Sequence, residues 1–379
     1  MRLLSFKSQT PDLGTAGDDL LWLRLIRSRR VGPATFHKLM AQNGSAPAAF
    51  EALPEMARAA GMSDYTPCPE GVAAAELRAG RQAGATLIRW DSPDYPELLR
   101  ELPDAPPVLW VRGRIEALGR PMVAVVGARN ASSLGLRMAA GLAGGLARAE
   151  ICVVAGLARG IDTAAHRATT DHGTIAVMAG GIDVIYPPEN RALADAICET
   201  GALVTEQPPG TEPQARHFPL RNRIIAGVAC GTVVIEAAHR SGSLITARHA
   251  LDHGREVMAV PGHPMDARSA GTNALIRDGA RLVRNAADVI EALGHAAPPT
   301  ATAPMAEEPR TLAPEQPGSV AAAETSPEKI LERLGAAPTE ESMILRDLGL
   351  TPAELAQALL NLELQGLIER LPGARLIRI

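Results

Sequence analysis

The octet RHFPLRNR at residues 216–223 combines three arginines with a histidine and an aromatic residue, and it contains no acidic residue. Its three arginines, Arg216, Arg221 and Arg223, can each bind a phosphate through two hydrogen bonds. The ring of Phe218 can stack on an unpaired base. This combination is typical of a surface that binds single-stranded nucleic acid. The octet alone is equally compatible with the start of a surface helix, with solvated arginines and an inward-facing phenylalanine.

Short turns rich in glycine recur after apolar runs. They are GAR at 127–129, GLARG at 156–160, GG at 180–181, SGS at 241–243 and PG at 261–262. Glycine lets the backbone approach a ligand closely, and a turn that leads into a helix presents amides that attract phosphate. Each turn alone is compatible with a tight connection. The five together favour an anion-binding site.

The apolar runs before these turns identify the elements that must position them. They predict strands at 122–126, 151–155, 174–178, 202–205, 232–235 and 256–260, with helical patterns between them, as at 134–148 and 244–253. The runs do not alternate with polar residues, which is typical of strands covered on both faces. The sequence therefore predicts an α/β protein with an extended Rossmann-like, doubly wound parallel sheet. The carboxyl ends of its strands share one edge, where ligands bind.

The glycine turns do not match common nucleotide-binding fingerprints. The first turn, from Gly127 to Gly135, does not read G-x-G-x-x-G, and no G-x-x-x-x-G-K-[ST] sequence occurs. NAD and ATP chemistry are therefore disfavoured, and no cofactor is expected. His249 and His253 are four residues apart, but no third ligand is evident, so no metal site is expected.

Composition favours a cytoplasmic globular protein. Of the 379 residues, 46% are hydrophobic and 21% are charged, which suffices for a sizeable core. The net charge is −4, so an anion site must be a local concentration of cations. The four cysteines form no C-x-x-C pair, which indicates reduced thiols. Neither a long apolar run nor a secretory leader is evident, so no membrane span is expected.

Four regions are predicted along the chain. They are a helical SAM-like or helix-hairpin-helix domain at 1–105, the Rossmann-like core at 106–295, a flexible linker at 296–326 and a winged-helix-like module at 327–379. In the first region a V-G-P turn could bring its amides to a DNA phosphate, and a plain helical hairpin is the alternative. The last region has eight acidic and six basic residues. We therefore expect it to have a protein-contact or accessory role, not sequence-specific reading of duplex DNA.

Five segments closely resemble motifs of the DNA-processing protein A family (DprA, also called Smf). They are GLARGIDTAAHRA at 156–168, TIAVMAGGIDVIYPPEN at 174–190, FPLRNRIIAG at 218–227, SGSLITARHALDHGREVMAVPG at 241–262 and GTNALIRDGA at 271–280. The resemblance implies that the core binds single-stranded DNA. It also implies a role in natural transformation, in which the protein protects incoming strands and loads the RecA recombinase.

The glycine turns, the octet and the resemblance together give the candidate DNA- or phosphate-binding residues. They are Gly127, Arg129, Gly156, Arg159, Gly160, Arg191, Arg216, Phe218, Arg221, Asn222, Arg223, Ser241, Gly242, Ser243 and Thr246. Two positions depart from the family pattern. Ala128 replaces a serine of the first turn, and Pro188 stands where many members have a lysine. Arg191 is a candidate substitute for that lysine.

Two function classes follow from these features. The first is a non-enzymatic binder of single-stranded DNA. The alternative is a Rossmann-like nucleotide enzyme, such as a nucleoside monophosphate phosphoribohydrolase. The signature P-G-G-x-G-T-x-x-E of that enzyme is absent, although Glu206 and Glu236 follow strand ends. We therefore expect no enzymatic activity. The resemblance and an apolar stretch at 270–283 favour a symmetric homodimer.

Overall fold

The structure is a computed structural model that describes residues 16–294, 327–335, 338–371 and 373–379. The predicted linker therefore lies outside the described residues. Among the helices of the described ranges, none combines the length and the hydropathy needed to cross a bilayer.

The described chain begins with four helices, whose bounds are α1 Ala16–Ile26, α2 Pro33–Asn43, α3 Ala46–Ala59 and α4 Glu70–Gln82. The turn between α1 and α2 is the predicted V-G-P turn, and Pro33 occupies the first position of α2, where its fixed φ suits a helix. Gly44 ends α2 with a φ of 75°, a conformation that glycine adopts without strain. Trp22 and Phe36 fill the interior of this helical hairpin with ring centroids 5.0 Å apart.

A nine-stranded sheet forms the centre of the molecule. Its strands are β1 Thr86–Arg89, β2 Val108–Gly113, β3 Met122–Gly127, β4 Cys152–Ala155, β5 Thr174–Val177, β6 Ala202–Thr205, β7 Gly231–Ile235, β8 Glu256–Ala259 and β9 Arg281–Leu282. They lie in the order β1-β2-β6-β5-β4-β3-β7-β8-β9. Strand β2 is antiparallel to both neighbours, and the other pairs are parallel. The predicted α/β fold is confirmed, and the six predicted strands agree with the structure to within a residue or two.

The sheet begins before the predicted boundary between residues 105 and 106. Thr86–Arg89 pairs in antiparallel register with β2, so this segment belongs to the core sheet. The N-terminal helices are also joined to the sheet. Trp110 of β2 is buried in one apolar cluster with Trp22 and Phe36, and its indole N–H donates to the Glu76 carboxylate at 3.1 Å.

Helices cover both faces of the sheet. Their bounds are α5 Glu97–Arg100, α6 Ser133–Arg148, α7 Ile161–Arg167, α8 Arg191–Thr200, α9 His217–Val228, α10 Ser243–Asp252, α11 Ala270–Arg277 and α12 Ala286–Ala292. The side chains of β3 alternate between two apolar layers. Val123 and Val125 share a cluster with Leu142 of α6, whereas Ala124 shares the opposite cluster with Ile224 of α9. This arrangement is the expected doubly wound sheet.

The C-terminal module is a winged helix with its own core. Its elements are α13 Pro327–Arg333, β10 Thr339–Glu340, α14 Glu341–Leu348, α15 Pro352–Leu364, β11 Ile368–Leu371 and β12 Arg375–Arg378. Ile330, Ile344 and Leu359 are buried together at its centre. Thr351 and Glu354 form a reciprocal capping box at the start of α15, which fixes where this helix begins. The predicted three helices and β-hairpin are confirmed.

Candidate nucleic-acid interface

A cavity of about 540 Å³ opens at the carboxyl edge of the sheet. It lies where β3 and β7 run side by side. From β3 the chain crosses through α6 to β4 on one side, and from β7 it crosses through α10 to β8 on the other. Open α/β sheets bind ligands at such a point, where the strand order reverses. The candidate residues in its lining are Gly127, Arg129, Phe218, Arg221, Asn222, Ser241, Gly242, Ser243 and Thr246.

A smaller cavity of about 20 Å³ shares part of this wall. It brings in two more candidates, Gly156 and Arg159. Gly160 supports the wall from behind, because a Cβ atom there would lie 2.3 Å from the carbonyl oxygen of Ala128 and 2.4 Å from that of Arg129. The φ of Gly160 is also 76°, which disfavours any side chain. Gly160 therefore lets two turns pack together and fixes the turn that carries Arg129.

Two arginines lie close to the ring of Phe218. The guanidinium carbon of Arg129 lies 5.0 Å from the ring centroid and that of Arg221 lies 6.0 Å from it. The ring of Tyr186 meets Phe218 edge-on at 5.9 Å. Phe218 is half-buried and belongs to none of the apolar clusters of the described residues. Its ring therefore forms part of the cavity wall, next to cations that can hold a phosphate backbone.

Arg221 is a buried cation that lies on the backbone of the second glycine turn. Its relative exposure is 5%, and a Cβ atom on Gly156 would come within 1.2 Å of its Nη1 atom. Burial lowers the pKa of Arg221 to about 10, partly offset by the charge of Asp162, so the side chain remains protonated at neutral pH. Its Nε atom has no hydrogen-bond partner among the described residues. That atom is itself buried, so what Arg221 offers at the cavity wall is its positive charge.

The carboxylate of Asp162 balances this buried charge. It accepts the backbone N–H groups of Gly156 at 2.9 Å and Ala158 at 3.4 Å. Burial raises the pKa of Asp162, and the nearby Arg221 guanidinium opposes that shift. Asp162 is the second residue of α7, the helix after the turn, so one carboxylate orders both the turn and the arginine next to it.

The SGS turn provides hydroxyl groups on the opposite wall. The Oγ atoms of Ser241 and Ser243 are 2.7 Å apart, and the Asn222 amide donates to the carbonyl of Gly242 at 3.3 Å. The first amides of α10 already donate back into the turn, since Leu244 N–H bonds to the Ser241 carbonyl. One hydrogen of the hydroxyl pair bonds the two serines to each other, and the other is better placed than these amides to donate to a ligand.

Three candidate arginines lie outside both cavities. Arg223 is buried and directed away, forming an ion pair with Glu206 and donating to the Asp104 carbonyl at 2.7 Å. Arg216 is exposed before α9, with its Nε atom 3.4 Å from a ring nitrogen of His217. Arg191 is exposed at the first position of α8. The geometry gives Arg223 a structural role and brings neither of the other two to the cavity wall.

Arg159 has an acidic neighbour at the rim. It forms an exposed ion pair with Glu189, and this hydrogen bond lowers the pKa of the Glu189 carboxyl. Because exposed pairs are weak, a phosphate can compete with Glu189 for Arg159.

The lining also contains residues that the sequence analysis did not select. The polar and charged ones are Asn130, Asp162, Arg240 and Arg268. The cavity therefore holds four arginines and one carboxylate, a local excess of positive charge in a chain whose net charge is −4. Arg240 directly precedes the SGS turn and could have been found there. Arg268 had no comparable signal, because it comes from a short 3-10 segment at Ala267–Ser269.

Glu236 does not face this cavity. Its carboxylate accepts the backbone N–H of Ser132 at 2.8 Å and the Ser132 hydroxyl. Ser132 in turn caps α6 by accepting the N–H of Gly135. Glu236 lines a separate cavity of about 240 Å³, and its contacts order the turn between β3 and α6.

The fold and the cavity define a Rossmann-like protein with an arginine-rich site at the switch point of its sheet. The chain belongs to the DNA recombination-mediator protein A family, whose model matches residues 86–294. Residues 16–79 match the DprA-like N-terminal HHH domain, and residues 313–374 match the DprA winged helix domain.

Relatives agree with this assignment. The chain is 46% identical over 198 residues to the DNA processing protein DprA of Streptococcus pneumoniae, covering 52% of this chain and 70% of that protein. It is 41% identical over 220 residues to DprA of Bacillus subtilis, covering 57% and 74%.

Two solved structures are also similar. The X-ray structure of DprA from Streptococcus pneumoniae aligns with a TM-score of 0.55 at 40% identity, covering 59% of this chain and 77% of that one. A Helicobacter pylori DNA processing protein A aligns with a TM-score of 0.51 at 26% identity, covering 55% and 95%. That structure is described as giving insights into a unique single-stranded DNA binding mode.

Proposed function

We propose that the chain binds single-stranded DNA and acts in DNA processing during natural transformation. The observation that carries the proposal is the half-buried Phe218 ring beside Arg129 and Arg221 at the wall of the switch-point cavity. Family membership and the binding mode named for the Helicobacter pylori relative support it.

The cavity offers complementary contacts to a single strand. The exposed Arg129 is free to take a phosphate, while the buried Arg221 supplies a fixed positive charge. Phe218 provides a ring for base stacking, which is tolerant of sequence because every base has an aromatic face. The hydroxyl pair of Ser241 and Ser243 can donate its remaining hydrogen to a phosphate oxygen. We therefore expect little sequence preference and a clear preference over duplex DNA.

Binding without catalysis is part of the proposal. The carboxylate in the cavity lining, Asp162, already accepts two backbone amides and neighbours the Arg221 cation. A group held in this way is poorly suited to general acid or base chemistry. Glu236, the other candidate acid, faces a different cavity. These contacts give the phosphoribohydrolase alternative no support.

We also propose that the protein protects incoming strands, loads RecA, forms a homodimer and is located in the cytoplasm. Family membership is the main support for these roles.

The apolar stretch at 270–283 offers a smaller dimer surface than its sequence suggests, because Leu275 packs against the core. Leu282 of the edge strand β9 is 48% exposed, so a symmetric contact would be centred there. Light scattering of the full chain at increasing concentration tests the dimer, and a persistent monomer contradicts it.

The binding test compares fluorescent single-stranded and duplex oligonucleotides over a range of salt concentrations. Arg129→Ala should weaken single-strand binding and reduce the salt slope by about 0.7, because one phosphate contact is lost. The matched control is Arg137→Ala, since Arg137 is an exposed arginine of α6 outside the cavity lining. Equal slopes for both variants would remove Arg129 from the site, and equal affinity for both DNA forms would refute the proposed function.

A further inference from the structure

The winged-helix module contacts the core at the rim of the cavity through two arginines. Arg268 of the core donates from Nη1 to the carbonyl of Glu332 at 2.6 Å and from Nη2 to the carbonyl of Leu334. In the reverse direction, Arg333 of the module donates to the carbonyl of Ala131 at 2.8 Å. The module therefore has a defined docked position, although its hydrophobic core is separate.

Both contacts involve elements that carry the cations of the cavity. Arg268 itself lines the cavity, and its side chain is only 17% exposed in the docked arrangement. Ala131 lies two residues after Arg129, in the same turn. One arginine of the proposed DNA site is thus occupied by the module, and the turn that carries another is held by it.

We propose that Arg268 is a phosphate ligand of the bound strand and that the winged-helix module competes with the strand for it. The proposal rests on the proposed function, since it assumes that the cavity binds single-stranded DNA. In the DNA-free chain, Arg268 binds the carbonyl dipoles at the end of α13. When a strand enters, a phosphate takes over the Nη1 and Nη2 donors and the module is released.

The chemistry of the two partners favours this exchange. Carbonyl groups at a helix end carry partial negative charge, whereas a phosphate carries a full charge and fits the fork of a guanidinium. The Nε atom of Arg268 is bound separately by Asp266 at 3.2 Å. The guanidinium can therefore keep its orientation while Nη1 and Nη2 change their partners.

The charge of the module works in the same direction. Residues 327–379 contain eight acidic and six basic side chains, so the docked module places net negative charge beside a cavity that must admit a polyanion. Docking and DNA binding therefore oppose each other. Because linkage is reciprocal, weaker docking must strengthen DNA binding, and DNA must weaken docking.

The test uses the full chain and a fluorescent oligothymidylate. Arg333→Ala removes a docking contact without touching the cavity lining, so it should tighten binding about fivefold. Arg268→Ala removes both the dock and a phosphate ligand, so it should bind more weakly, with a salt slope smaller by about 0.7. The control is Arg346→Ala, because Arg346 is an exposed arginine of the module for which the described residues provide no hydrogen bond or ion pair.

Hydrogen exchange provides a second readout on unmodified protein. Saturating oligothymidylate should increase the exchange of the α13 amides in the full chain. If the chain binds DNA, yet Arg333→Ala does not tighten binding and α13 exchange stays constant, the competition is refuted and the proposed function stands. If the unmodified chain fails to bind oligothymidylate at all, the proposed function fails and the competition fails with it. If Arg268→Ala does not fold, the affinity of Arg333→Ala and the exchange measurement decide whether the module competes with the strand.

Discussion

Replacing Gly156 by alanine tests whether the buried arginine of the cavity is held against the second glycine turn. The new methyl carbon would lie 1.2 Å from Nη1 and 2.3 Å from Cζ of Arg221, far inside van der Waals contact. The end of an arginine side chain can move, but Arg221 is buried, so the guanidinium can escape only toward the cavity. Gly156→Ala should therefore displace Arg221 into the space that the strand needs.

The expected cost is at the lower end of the range for overpacking, about 1 kcal/mol, because a side chain yields before the backbone does. For a domain of this size, that cost lowers Tm by roughly 2–4 °C. Single-strand binding should weaken at the same time, since Arg221 loses its fixed position and Asp162 loses its neighbouring cation. Differential scanning fluorimetry and fluorescence anisotropy measure the two effects.

A double-mutant cycle assigns the clash to Arg221. In the Arg221→Ala background the Gly156 methyl group has space, so Gly156→Ala should cost nothing further in Tm. Gly141→Ala is the matched control, because a Cβ atom at this position in α6 has no neighbour within 4 Å and should stabilise the helix slightly. An unchanged Tm and affinity for Gly156→Ala, or an equal cost in both backgrounds, would refute the reasoning.

Three further predictions concern single side chains. Phe218→Ala should cost about 1–3 kcal/mol of DNA binding if a base stacks there, with little change in Tm; a lower Tm with intact binding would instead assign the ring to the core. Arg223→Ala should destabilise the fold by about 3–5 kcal/mol, because it leaves the buried Glu206 carboxylate without its ion-pair partner. An unaltered denaturant midpoint would contradict this structural role of Arg223. Burial lowers the pKa of His166 from 6.5 to about 3, so between these values the unfolded chain binds a proton that the folded chain does not. The free energy of unfolding should therefore fall by about 2 kcal/mol between pH 7 and pH 5. His166→Gln should flatten this pH dependence, whereas the control His172→Gln, at an exposed histidine, should not.

The parts of the fold that could be predicted are those with local signals. The strands beside the cavity have continuous apolar runs, and glycine turns mark their ends. The predicted bounds of β3 and β7 therefore agree closely with the structure. Strand β1 lacks such a run, because only its last two residues, Ile88 and Arg89, are buried, and its pairing with β2 is a contact across some twenty residues of chain. No local pattern identifies such a strand, so the sequence placed the domain boundary too late for the sheet.

The same limit applies to the site. Arg221 and Arg223 stand in one octet and look equivalent in sequence, yet one reaches the cavity and the other pairs with Glu206. Their difference depends on helix phase and on acids that the fold brings in from other segments. Arg268 was missed because only the tertiary fold brings its 3-10 segment to the cavity that Arg129 lines.

The two flanking domains are joined to the core in different ways, and this difference determines which end of the coding sequence can be deleted without exposing the core sheet. The N-terminal helices share buried side chains with the sheet, with Trp110 and Trp22 in one cluster. The winged helix closes its own core around Ile344 and Leu359. A deletion of the 3′ end of the coding sequence therefore removes a self-contained unit and leaves the sheet covered. A deletion of the 5′ end uncovers one face of the sheet, so it can persist only if another segment replaces the lost cover.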